Sequence, residues 1–271
     1  MKTTKNVYVL IMGVACLLNF FTGCKKQEAN AATENNLVAD SKKSANSVSS
    51  VTAPSLHANF SDALSQCKLQ SSYENSGTTT TNSNTNGLVK PDYFFLNNSN
   101  KMVMISSVGA SERTELRHEA DITLNTSHRM RFDAVLEDVP NGSGVTIAQV
   151  HNDYSAVGKP LIRIYATGGT ITSKMSNTYV KADNLYTNGS GSVSFSNGQR
   201  IYVRLQFQTS AKKIAVYVEN KDNGQIYSQT YTVPAAWDSA NGNYYFKTGV
   251  YNQGNDKQAK LSYNYLYIDQ P

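Results

Sequence analysis

Residues 200–208 read RIYVRLQFQ. At a period of two, Ile201, Val203, Leu205 and Phe207 point one way and Tyr202, Arg204, Gln206 and Gln208 the other, the pattern of a strand with one buried and one wet face. The polar partners are long and hydrogen-bonding, a lining suited to carbohydrate. Runs of the same character lie on both sides. DYFFLN, KMVMISSV, RTELRHE, HRMRFDAVLE, GVTIAQVHN, LIRIYATG and GSVSFSNG precede it, and KIAVYVEN, QIYSQTYTV, YYFKTGVYNQ and LSYNYLYID follow, separated by Asn/Gly turns. Strands at that spacing with no helical interludes predict an all-β chain, an antiparallel β-sandwich or jelly roll, with a polar concave groove.

The 271 residues suffice for one large β domain or two ordinary ones, and abundant Tyr, Thr, Ser, Asn and Val favour one. The net charge is +5, and Lys2 and Lys5 lie in an apolar leader, so residues 24–271 carry 5 − 2 = +3. That is too little to suggest nucleic acid, but compatible with a local basic groove for an acidic ligand.

Three strands carry the polar groups of interest. SERTELR puts Arg113, Glu115 and Arg117 on one face, with Thr114 and Leu116 opposite. TIAQVHND puts Gln149 and His151 on one face, with Ala148 and Val150 opposite. YFKTGVYNQ puts Tyr245, Lys247, Gly249, Tyr251 and Gln253 on one face, with Phe246, Thr248 and Val250 opposite. Taken singly, each has a plainer reading: a salt-bridged arginine ladder, a structural histidine, tyrosines covering a sheet. Other chemistries are poorly served. Glycoside hydrolysis usually needs two carboxylates on one cleft, and these segments offer Glu115 alone. Zinc-ligand spacings, phosphate-binding glycine loops, calcium loops and a GxSxG elbow are missing from the sequence, so no metal or cofactor is expected.

Together RTELR, QVH and YFKTGVYNQ resemble, in order, the signature segments of the alginate lyases of polysaccharide lyase family 7, over residues 56–271. Thr248 stands where that family more often has Ala, and the segment around Cys67, Lys68 and Leu69 resembles the family's opening strand only loosely. The resemblance implies a β-jelly roll that cleaves the 1,4-glycosidic bonds of a polyuronate by β-elimination, leaving a 4,5-unsaturated uronate at the new non-reducing end. It implies Arg113, Gln149, His151 and Tyr251 as catalytic residues, and Glu115, Arg117, Tyr245, Lys247 and Gln253 as substrate-binding ones. QVH rather than QIH implies a preference for mannuronate. The expected partner is alginate, an acidic polysaccharide, and the chain is expected to act as a monomer. Two other readings stand beside it: a lyase for another β-linked polyuronide such as glucuronan, and a non-catalytic glycan-binding module.

The leader MKTTKN–VYVLIMGVACLLNFF is basic and then apolar, and FTGC follows, so residues 1–23 read as a signal peptide of lipoprotein type with Cys24 as the lipidated residue. This predicts export, with an outer-membrane lipoprotein of a Gram-negative bacterium ahead of a periplasmic or secreted protein. Polar, aperiodic residues 24–55 read as a flexible tether, and 56–271 as the lyase domain. Within that domain 76–87 and 168–190 read as loops, and Cys67 as a lone buried thiol.

Overall fold

The computed structural model describes residues 51–271, apart from 120–121, 123–125, 141, 209–210 and 255. The signal peptide, Cys24 and the tether as far as residue 50 lie outside the described residues. A short helix α1 (Ser61–Ser65) is followed by strands β1 (Cys67–Ser71), β2 (Thr80–Asn82), β3 (Phe94–Leu96), β4 (Met102–Ser106), β5 (Arg113–His118) and β6 (His128–Asp138). Next come β7 (Val145–Asn152), β8 (Ile162–Thr167), β9 (Thr170–Ser176), β10 (Tyr186–Asn188) and β11 (Val193–Ser194). The chain closes with β12 (Arg200–Gln208), β13 (Lys213–Asn220), β14 (Ile226–Thr232), β15 (Tyr244–Asn252) and β16 (Ala259–Asp269).

The strands form two antiparallel sheets, as the jelly-roll expectation requires. One has the order β10-β9-β8-β7-β15-β5-β1-β2, with β11 also on β9, and the other has β14-β13-β12-β6-β16-β4-β3. The alternation in RIYVRLQFQ is literal. Ile201, Val203, Leu205 and Phe207 are buried, while Tyr202, Arg204 and Gln206 are half-buried on the far side. The two inner faces meet through rings: Phe207 lies 5.9 Å from both Tyr244, edge-on, and Phe246 of the opposite sheet, while within its own sheet Phe132 lies 5.3 Å from Tyr263 on the neighbouring strand. Such packing removes large aromatic areas from water and fixes how the sheets face one another. Thr248 is satisfied in this core, donating to the Ile147 carbonyl (3.0 Å) and lying 3.0 Å from the Tyr263 hydroxyl of the other sheet.

The structure corrects the sequence reading in three places. Thr52 bridges Leu96, and Ala53 and Pro54 are buried, so the folded domain begins before residue 56. The segment 168–190 contains β9 and β10, because Ile171, Ser173 and Met175 face inward. Ser173 disguises that strand. Its hydroxyl sits between those of Tyr227 (2.7 Å) and Tyr231 (2.8 Å), which satisfies a polar atom where an apolar residue was expected. Finally, 76–87 contains the edge strand β2 on β1, and its base is tied down by Glu112, which accepts from Ser76 Oγ (2.7 Å) and Gly77 N–H (2.9 Å). Cys67 is a buried free thiol, and burial raises its pKa far above the ordinary value, so it is inert.

Candidate active site

β7, β15 and β5 lie side by side, so the three polar rows share the outward face of one sheet. The register sets Tyr251 beside Arg113 on one flank and Thr146 on the other, Lys247 between Arg117 and Gln149, and Tyr245 beside His151. A bulge between Thr248 and Tyr251 aims the phenol. Gly249 makes it possible: at φ +145° a Cβ there would come within 2.3 Å of the Thr114 carbonyl and 2.7 Å of Glu115 Cα.

Glu115 organises the floor. Its carboxylate accepts from Gln149 Nε2 (2.6 Å) and Lys247 Nζ (2.5 Å), with Arg113 Nη1 at 3.6 Å. Glu115, Gln149 and Lys247 are 1%, 3% and 4% exposed, so this cluster lies at the bottom of the site and not on its rim. Above it two arginines lie over tyrosines, Arg113 Cζ 4.2 Å from the Tyr251 ring centre and Arg117 Cζ 4.0 Å from that of Tyr245. The Tyr245 ring stacks on His151 at 5.6 Å and 17°. Three cations against Glu115 leave the cluster at 3 − 1 = +2, a field suited to a carboxylate.

These surroundings set the protonation states. Burial, the largest influence, lowers the His151 pKa to about 4; Lys247 and Arg117 push the same way, while the Asn152 carbonyl and Glu115 oppose. The imidazole is therefore neutral at neutral pH. Its Nδ1 lies 2.9 Å from the carbonyl and 3.0 Å from the N–H of Asn152, so either tautomer finds a backbone partner. Burial likewise lowers Lys247, with Glu115 opposing and Arg113 adding to the effect. Tyr245 is raised, chiefly by burial. The phenol therefore holds its proton more firmly than an unburied one.

Several contributors escaped the sequence reading. Ser111 holds a left-handed backbone (φ +71°), donates its N–H to the Asn252 carbonyl (2.8 Å) and places Oγ 3.5 Å from the Tyr251 hydroxyl. Fully buried Asn252 donates to the carbonyls of Ser107 (3.0 Å) and Lys257 (2.9 Å), pinning the loops beneath Tyr251. Gln253 donates to Thr146 Oγ1 (2.5 Å) and lines a cavity of about 290 Å3 with Arg163, Tyr165 and Lys174. Arg163 and Lys174 continue the cross-strand row that passes through Arg117, Lys247 and Gln149. Only the alternation in LIRIYATG pointed to Arg163, and Lys174 fell in the segment read as a loop. No group of three or more His, Cys, Asp or Glu side chains able to hold a metal ion occurs among the described residues.

A two-sheet β fold whose open face gathers guanidinium, ammonium and amide donors round a tyrosine and a neutral imidazole defines a polysaccharide lyase of the kind that acts on uronate chains. The chain belongs to the alginate lyase family, whose model matches residues 62–270. Solved structures agree in fold. The alginate lyase AlyC3 is 19% identical with a TM-score of 0.66, covering 81% of this chain and 95% of its own. The polysaccharide lyase family 7 enzyme A1-II′ is 18% identical (TM-score 0.62, 82% and 99% covered), and an alginate lyase from Klebsiella pneumoniae is 15% identical (0.62, 81% and 99%). No curated protein matches the chain.

Proposed function

We propose that the chain depolymerises alginate by β-elimination at the site formed by Arg113, Gln149, His151 and Tyr251. The observation that carries this reading is the convergence of those side chains on one sheet face around Glu115 and Lys247. The C5 proton of a uronate is not acidic while its carboxylate is charged, so neutralising that carboxylate comes first. Arg113, and the second N–H of the Gln149 amide whose first is held by Glu115, donate to it. Neutral His151 adds a third donor through Nε2 when Nδ1 accepts the Asn152 N–H. Tyr251, as the phenolate beneath Arg113, takes the C5 proton. The C–H electrons form the C4=C5 double bond, the bond from C4 to oxygen breaks, and the phenol returns the proton to the departing oxygen. Atoms and charge balance without a cofactor.

Glu115 and Lys247 act in this reading as positioning residues, since both are buried and satisfied by one another. Arg117, Tyr245 and Gln253 line the half-buried walls and hold neighbouring sugars. Mannuronate preference rests on the QVH segment, with Val150 acting indirectly because it faces the core; among the relatives, AlyC3 has been solved with dimannuronate. Export and anchoring through Cys24 rest on the leader sequence, and action as a monomer is part of the same reading. Mixing the protein with polymannuronate and polyguluronate, and following the ultraviolet absorbance of the unsaturated product, tests both reaction and preference. A flat trace on both polymers rejects the reading.

A further inference from the structure

Four arginines among the described residues have a buried Nε without a hydrogen-bond partner: Arg113, Arg117, Arg131 and Arg204. All four lie over a tyrosine ring. Arg113 and Arg117 do so in the candidate active site, and Arg131 and Arg204 do so on the outer face of the other sheet, 5.2 Å from Tyr267 and 5.2 Å from Tyr217. Arg129 and Arg200, by contrast, give their Nε to Asp269 and Asp133. The outer sheet thus repeats the pairing found where the substrate carboxylate is gripped.

Register makes the repeat a continuous surface. Tyr217, Arg204, Arg131 and Tyr267 are neighbours across β13, β12, β6 and β16, and the adjacent row contains Tyr202 and Tyr265. Tyr202 lies 5.7 Å from Tyr217, and Tyr265 lies 5.3 Å from Tyr267. All six side chains are half-buried, with one flank open to solvent. Three strand spacings of roughly 4.8 Å give the row a span of about 14 Å, the length of a short oligosaccharide. Arg204 and Arg131 stand directly opposite each other, an arrangement that costs stability between like charges. The acids nearby are engaged: Asp269 with Arg129 and Arg131, Asp133 with Arg200 and Asn264, Glu219 with Lys221 and Tyr217. No ion pair reaches Arg204 among the described residues.

We infer that this face is a second, non-catalytic site for an acidic polysaccharide. Sugar rings lie on the tyrosines, and a uronate carboxylate sits between Arg204 and Arg131, relieving their repulsion. The inference takes its ligand from the proposed function, and its test separates the two. Affinity electrophoresis in polymeric alginate, with Tyr251→Phe as the uncleaving background, measures the dissociation constant with and without Arg131→Gln/Arg204→Gln. In the active background, kcat and KM are measured on a tetrasaccharide too short to use both faces. Affinity for polymer falls roughly tenfold, the scale of losing hydrogen bonds to a charged group, while tetrasaccharide kinetics stay unchanged. Tyr217→Ser, which keeps both charges, weakens polymer binding in the same direction and covers the case in which the double variant does not fold. Polymer affinity unchanged in these variants overturns the second site and leaves the cleavage reading intact. Equal loss on tetrasaccharide also overturns it, because the residues then act through the groove. A wild type that neither cleaves nor binds alginate rejects both.

Discussion

Replacing Glu115 by Ala removes the carboxylate that faces Lys247, and Lys247 is 4% exposed with its ammonium 2.5 Å from that carboxylate. The same change strips Gln149 of its 2.6 Å partner and Arg113 of a charge at 3.6 Å. Removing one partner of a buried pair leaves an uncompensated charge, a loss of about 3–5 kcal/mol. The upper part of that range applies here, since Gln149 loses its acceptor as well. Lys247 answers by losing its proton more readily: burial already lowers its pKa, and Glu115 is the chief influence opposing that. A lysine whose pKa is lower folded than unfolded costs stability below the ordinary value of roughly 10.4, and the cost shrinks as pH rises toward it. The deficit of Glu115→Ala relative to wild type therefore narrows as pH rises toward that ordinary value. Urea unfolding at several pH values measures it. A deficit below about 1 kcal/mol, the scale of an exposed pair, would show that Glu115 and Lys247 are solvated and that the floor of the site is misread.

Arg113→Ala cuts turnover at saturating alginate on the order of a hundredfold or more, as for removal of a donor to a developing oxyanion, whereas Arg117→Ala mainly raises KM; steady-state kinetics at low and high salt separate the two, and a pure KM effect for Arg113 contradicts its role. His151, held to about 4 by burial, makes the fold lose stability as pH falls from roughly 6.5 toward that value, because the unfolded histidine takes a proton first. His151→Gln should flatten this acid limb in thermal unfolding, and an unchanged limb places the titration elsewhere. Thr248→Ala leaves the buried Tyr263 hydroxyl without its 3.0 Å partner and costs about 1–3 kcal/mol; unchanged denaturant midpoints would mean that another group satisfies it.

Alternation made much of this legible. Apolar and polar residues alternate so regularly in RIYVRLQFQ, RTELRHE and YYFKTGVYNQ that face assignment needs no tertiary information. Depth does need it. Periodicity puts Glu115 and Lys247 on the polar face, but their burial arises from partners 34 and 132 residues away in sequence. Polar residues with unusual partners hide structure in the same way. Ser173 conceals β9, and Ser111 adopts a positive φ that a glycine would have announced. Alternation placed Arg204 on a polar face suited to carbohydrate, but only the register shows Arg131 standing opposite it.

Cleavage by β-elimination depends most directly on the proton that Tyr251 moves. Tyr251→Phe removes only the hydroxyl and keeps the ring beneath Arg113. Alginate is mixed with wild type and variant, ultraviolet absorbance of the unsaturated product is followed, and binding to the polymer is measured in parallel. Product formation by wild type, with nearly complete loss in the variant and undiminished binding, is the predicted result. Wild-type turnover by Tyr251→Phe would contradict it and move the acid–base role to His151.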